Sequence, residues 1–217
     1  MLKAMALAAT HIRFALELRD ALAVTDLSKY LSGTMYPDSR AYTGVRREVT
    51  HDSALFARDL LLLNDFEKGW AMHLRCDLIQ GRAMEILFPD ELAESIVQDD
   101  EWMFRTALKL LQSLDDSSTY DAPQFARMMT HVETPNGEPY EKVRSFYAFV
   151  ADIFEHTPLT ILSEVSLWEK TGMKEKLIQA IIVRTEALAS DASAMRRVKQ
   201  LYSLMRESED WGVVTRL

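Results

Sequence analysis

The sequence holds a single cysteine, Cys76, among 217 residues. No disulfide can close within the chain, which fits a reducing compartment, and a cytoplasmic location is expected. Glycine and proline are also scarce, at seven and six residues, too few for a chain built of strands and tight turns. No run approaches the roughly 20 apolar residues that cross a bilayer, so no transmembrane segment is expected. The apolar opening from Met1 to Thr10 is followed at once by His11, Arg13, Glu17 and Arg19, with no small-residue cleavage site. It reads as an amphipathic first helix rather than a leader. Positive charge is short as well: 25 Lys and Arg against 33 Asp and Glu leave a net charge of −8. Nonspecific nucleic-acid binding needs a basic surface and is not expected, although a local basic pocket for a phosphate remains open.

What is present points to helices. Hydrophobic residues make up 48% and charged residues 27%, the balance of an ordinary globular chain that can bury a core. Ala, Leu, Met, Glu and Arg dominate, all good helix formers. Apolar positions at Ala8, Ile12, Ala15, Leu16 and Leu22 follow the helical period. Thr25-Asp26 offers an N-cap for a short helix that Gly33 would stop. From Gly33 to about Val49 one long irregular segment is expected, with Pro37 and Gly44 as breaks. Asn64 with Glu67 three residues on resembles a capping box for a helix reaching about Met84. Later helices are expected from Pro89 or Pro123, before His156, after Thr157-Pro158 as far as Gly172, and over 173–189 and 192–206. No alternating strand pattern intervenes. The fold expected is all-α, a single compact multi-helix domain. Residues 1–114 form its core and 115–217 pack on it, with the polar stretch Asp115-Asp116-Ser117-Ser118-Thr119 as the seam.

The chemistry gathers in the first part of the chain. His73 and Asp77, four residues apart on a helix, share one face within reach of a single ion. They sit in a stripe with Phe66, Trp70 and Met84, where an unpaired aspartate is costly to bury. His11 in the first helix, Asp38 in a proline turn and His51 at a helix entrance complete a candidate set. Mixed imidazole and carboxylate ligands suit zinc, manganese or iron, as one ion or two. His131 reads as a surface residue. His156 reads as a helix-end histidine favoured by the macrodipole. Arg46 and Arg47 precede His51 and offer guanidinium groups for a substrate phosphate.

The order of these residues resembles that in the bacterial zinc-dependent phospholipase C-like proteins, all-α metallohydrolases related in style to the HD-domain phosphohydrolases. The matching residues are His11, Gly33, Pro37-Asp38, Thr50-His51, Gly69 and His73-Leu74-Arg75-Cys76-Asp77, within about the first 85 positions. The resemblance implies metal ligation by His11, Asp38, His51, His73 and Asp77, and cleavage of a phosphoester. A competing register on the literal His51-Asp52 dipeptide resembles the HD-domain pattern and would use His11, His51, Asp52 and Asp77. Asp52 is also explained as a helix-start residue.

Two functions follow. In the first, the chain is a metal-dependent hydrolase of a small-molecule or lipid phosphoester. Its ion lowers the pKa of bound water and polarises a phosphoryl oxygen, Asp38 or Asp77 takes a proton, and Arg46 offsets developing charge. In the second, the chain is a helical interaction or regulatory protein with a structural or vestigial metal site. Its helices then bury a partner or a second copy in a homo-oligomer, and its eleven methionines suit an adaptable surface.

Overall fold

The computed structural model describes residues 7–93, 98–155 and 159–215. Among them every regular element is helical and none is a strand. The expected helix end at His156 and the Thr157-Pro158 cap lie outside the described residues.

Helix α1 spans Ala8–Leu18 and α2 Leu27–Met35, the latter capped by the Asp26 carboxylate, which accepts from the Lys29 N–H. Gly33 does not stop α2, contrary to the expectation from its sequence. A Cβ at Gly33 would lie 2.0 Å from the Phe66 carbonyl oxygen, and one at Gly69 would lie 1.9 Å from the Tyr30 carbonyl oxygen. The two glycines are absences that let α2 and α5, Asp65–Leu87, approach backbone to backbone. This close pair is the frame of the site.

The segment after α2 is also more regular than its sequence suggests. Pro37 sits at the start of a 3-10 turn, Tyr36–Ser39, which leads into α3, Arg40–Thr43. Gly44 ends α3 with φ +79°, a conformation that favours glycine. Helix α4, Arg47–Thr50, follows, then 3-10 turns at Ser53–Ala57 and Leu60–Leu62. Helix α5 begins with the expected capping box between Asn64 and Glu67.

The remaining helices are α6 (Pro89–Ala93), α7 (Gln98–Asp116), α8 (Ala122–Arg127), α9 (Tyr140–Glu155), α10 (Ile161–Lys170), α11 (Glu175–Ser190), α12 (Ala192–Arg206) and α13 (Glu209–Thr215). Helix α7 runs past position 114 and ends at Asp116, whose buried carboxylate accepts from Arg13 of α1 at 2.7 Å. One core joins the first helices to α8, α9 and α12, and a smaller cluster gathers Leu7, Leu110, Val165, Trp168, Ile178 and Ile181. The chain after 115 therefore completes the same helical domain. No described helix is long and apolar enough to cross a membrane.

Candidate metal centre

Five side chains from four segments meet beneath the α2–α5 contact. His11 comes from α1, Asp38 from the 3-10 turn, His51 from the end of α4, and His73 and Asp77 from α5. One ligand atom from each of His11, His73 and Asp77 lies within 4.8 Å of the others, and the same holds for Asp38, His51 and His73. His73 belongs to both groups. Its Nε2 stands 3.9 Å from Asp38 Oδ1 and 3.9 Å from Asp77 Oδ2. His11 Nε2 is 3.7 Å from Asp77 Oδ1, and His51 Nε2 is 3.6 Å from Asp77 Oδ2. The His11 and His73 rings stack with centroids 3.9 Å apart.

The neighbouring structure aims these groups. The His73 Nδ1–H donates to the Thr34 carbonyl at 2.9 Å, a contact that the glycine-lined α2–α5 approach makes possible. That bond fixes the tautomer and leaves the Nε2 lone pair pointing at the two carboxylates. The Trp70 indole N–H donates to the Thr50 carbonyl at 2.6 Å and so anchors the residue before His51. His51 accepts from Arg47 Nη1 at Nε2 (2.9 Å), and its Nδ1–H donates to Thr50 Oγ1 (3.0 Å). Tyr36 packs edge-on against Trp70 and bonds to Glu138 and Asn136, holding the Asp38 turn from the other side.

Acceptors outnumber donors here. Both Asp38 oxygens, both His11 nitrogens, His73 Nε2 and Asp77 Oδ1 are buried without a hydrogen-bond partner. Protonation of His11 or His51 does not relieve this. Burial, followed by the His73 neighbour, holds the His11 pKa well below its usual range. Burial and the same neighbour bring His51 down to about 2. Burial raises the Asp38 pKa. For Asp77 burial acts in the same direction but is outweighed by Lys109 and then the imidazoles, and its carboxyl stays below the usual range. Several buried lone pairs thus converge on one point, where the single N–H of neutral His11 is too little to satisfy them, and such a set could hold a cation.

The solvent side is basic. Arg47 Nη2 approaches Asp77 Oδ2 at 3.5 Å, and Lys109 Nζ of α7 approaches Asp77 Oδ1 at 3.7 Å. Of the two arginines expected to serve a phosphate, Arg46 is exposed at the N-cap of α4 and Arg47 turns inward to Asp77. Asp52 is exposed and caps the 3-10 turn that follows it, accepting from the Ala54 N–H at 2.9 Å. His131 is part-exposed and pairs with Glu133 at 2.9 Å. Lys109 lies 32 positions beyond Asp77, outside any motif around the histidines. Its signal was a charge inside the apolar run Ala107-Leu108-Lys109-Leu110-Leu111. Compared with known protein families, curated proteins and solved structures, the chain matches none.

Proposed function

We propose that the cluster holds one divalent metal ion and that the chain is a metal-dependent hydrolase of phosphoesters. The observation that carries this reading is His73. Its Nδ1–H is committed to the Thr34 carbonyl, so a single lone pair, on Nε2, faces Asp38 and Asp77 at equal distance. Both ligand groups need that one atom, which supports one shared ion in preference to two. Donors spaced by 3.6–3.9 Å suit an ion at about 2.0–2.2 Å from each nitrogen or oxygen. Zinc, manganese and iron all accept such a mixed set.

Bound there, the ion would polarise a phosphoryl oxygen and lower the pKa of a water. The chain's own groups supply the rest. Asp38, with both oxygens unpartnered and its pKa raised by burial, suits a proton acceptor. Asp77 holds the ligand side and orders Arg47 and Lys109 around the mouth. Two cations at the accessible edge of a metal site favour a hydrolytic role over a purely structural one, because a structural site has no use for an anion clamp.

The test is hydrolysis of p-nitrophenyl phosphate and of bis-p-nitrophenyl phosphate by protein loaded with zinc, manganese or iron(II). Turnover that depends on the metal and is lost in Asp38→Asn and Asp77→Asn supports the reading. No turnover of either ester by protein shown to carry its metal refutes the hydrolase and leaves a structural ion in an interaction protein.

A further inference from the structure

We infer that the metal-loaded centre selects a doubly charged phosphate, the terminal group of a phosphomonoester, and that Arg47 and Lys109 bind it only once the ion is in place. The inference rests on the metal reading above and adds to it the substrate's charge and the order of binding.

A divalent ion cancels Asp38 and Asp77, the two carboxylates among its ligands. Arg47 and Lys109 then stand at the centre with two positive charges. A surplus of two matches a phosphomonoester dianion better than a diester, which carries a single charge. In a partly buried site that mismatch is felt strongly, since solvent screens it little.

Accessibility places the anion. The side chains of His11, His73 and Asp38 are 0, 0 and 2% exposed, whereas those of Asp77, Lys109 and Arg47 are 15, 11 and 29% exposed. The two cations therefore flank the side from which a ligand arrives. They are also on one carboxylate, Lys109 facing Asp77 Oδ1 and Arg47 facing Oδ2.

Hydrogen bonding supplies the order. Arg47 Nη1 donates to His51 Nε2 at 2.9 Å. A histidine nitrogen that binds a metal ion has no lone pair left to accept that bond. Metal binding must therefore release an Arg47 N–H and draw Asp77 charge away from both cations. The released donors are then available to phosphate oxygens, which replace the lost partners with charge-assisted contacts, bidentate at Arg47. The two bindings are then coupled, and by linkage phosphate must tighten the metal as much as the metal tightens phosphate.

Titration calorimetry with inorganic phosphate and with dimethyl phosphate, at pH 8 on protein with and without one equivalent of zinc, tests this. Phosphate should bind the zinc-loaded protein at least roughly tenfold more tightly than the zinc-free protein, and more tightly than dimethyl phosphate does. Arg47→Gln and Lys109→Gln should each weaken phosphate roughly tenfold while zinc content stays at the wild-type level, and Lys109→Arg should recover binding. Zinc-loaded wild type that ignores phosphate, or that prefers the diester, overturns the inference and leaves the metal reading standing. Equal phosphate affinity with and without zinc overturns the coupling. A wild-type chain that takes up no zinc refutes both readings. The comparison of the two anions uses wild type alone, so it decides even where a variant fails to fold.

Discussion

Gly69→Ala should unseat the site from a distance. A Cβ at this position would lie 1.9 Å from the Tyr30 carbonyl oxygen and 2.7 Å from the Thr34 nitrogen, both backbone atoms that cannot rotate away. The first contact is about 1.5 Å short of ordinary van der Waals distance, so α2 and α5 must separate by on the order of 1 Å. In a helix the change from glycine to alanine gains about 1 kcal/mol of propensity. Forcing a methyl into a packed contact costs about 1–3 kcal/mol, more when the neighbours are backbone. The clash should win, for a net loss of about 1–2 kcal/mol. It should also stretch the 2.9 Å bond from His73 to the Thr34 carbonyl beyond hydrogen-bonding range, and lower metal affinity about 10–100-fold as outer-shell losses do. Gly81 provides the control on the same helix, since a Cβ there meets nothing within 4 Å. Gly81→Ala should stabilise the protein by up to about 1 kcal/mol. Urea unfolding of the three proteins compares them directly. If Gly69→Ala stabilises as Gly81→Ala does, the close approach of α2 and α5 is wrong, and with it the argument for His73.

Two further perturbations probe groups around the centre. Trp70→Phe removes the N–H that satisfies the buried Thr50 carbonyl, so urea unfolding should show a loss of about 1–3 kcal/mol, with metal affinity reduced as His51 loosens. Glu164 of α10 is 1% exposed and accepts from Ser113 Oγ at 3.2 Å, and burial raises its pKa from 4.5 to about 7. A raised carboxyl pKa contributes stability that is complete below 4.5 and is lost as pH climbs through 7. Relative to Glu164→Gln, wild type should therefore lose about 3 kcal/mol between pH 4.5 and pH 8. A difference that does not change with pH would contradict the burial of an ionisable group there.

The parts of this architecture that depend on local chemistry are readable along the chain. The Asn64–Glu67 capping box, the Asp26 cap and the Gly44 and Gly172 breaks are each set by residues within a turn of one another. The His73–Asp77 pair follows from the helical period alone. Long-range packing is what escaped. Gly33 has the composition of a helix stop, and nothing nearby signals that its missing side chain faces the Phe66 backbone of a helix 33 positions away. The segment after it carries proline and glycine, yet short helices and 3-10 turns absorb both. Arg46 is the N-cap of α4 and Arg47 its first residue, and only the placement of α4 decides which of them faces Asp77. Lys109 reaches the same carboxylate from α7, which no motif near the histidines could announce.

The central claim is that His11, Asp38, His51, His73 and Asp77 hold one ion between them. Elemental analysis of protein purified without chelator, combined with thermal unfolding in the presence and absence of EDTA, tests it most directly. A ligand that binds only the folded state raises stability by mass action, by about 2.7 kcal/mol at a hundredfold excess over Kd. The account predicts one divalent ion per chain, a clear fall in Tm on chelation, and in His73→Ala a loss of both the metal and the response to EDTA. Wild type that carries no metal after incubation with zinc, manganese or iron(II) contradicts it, as does His73→Ala that keeps a full equivalent.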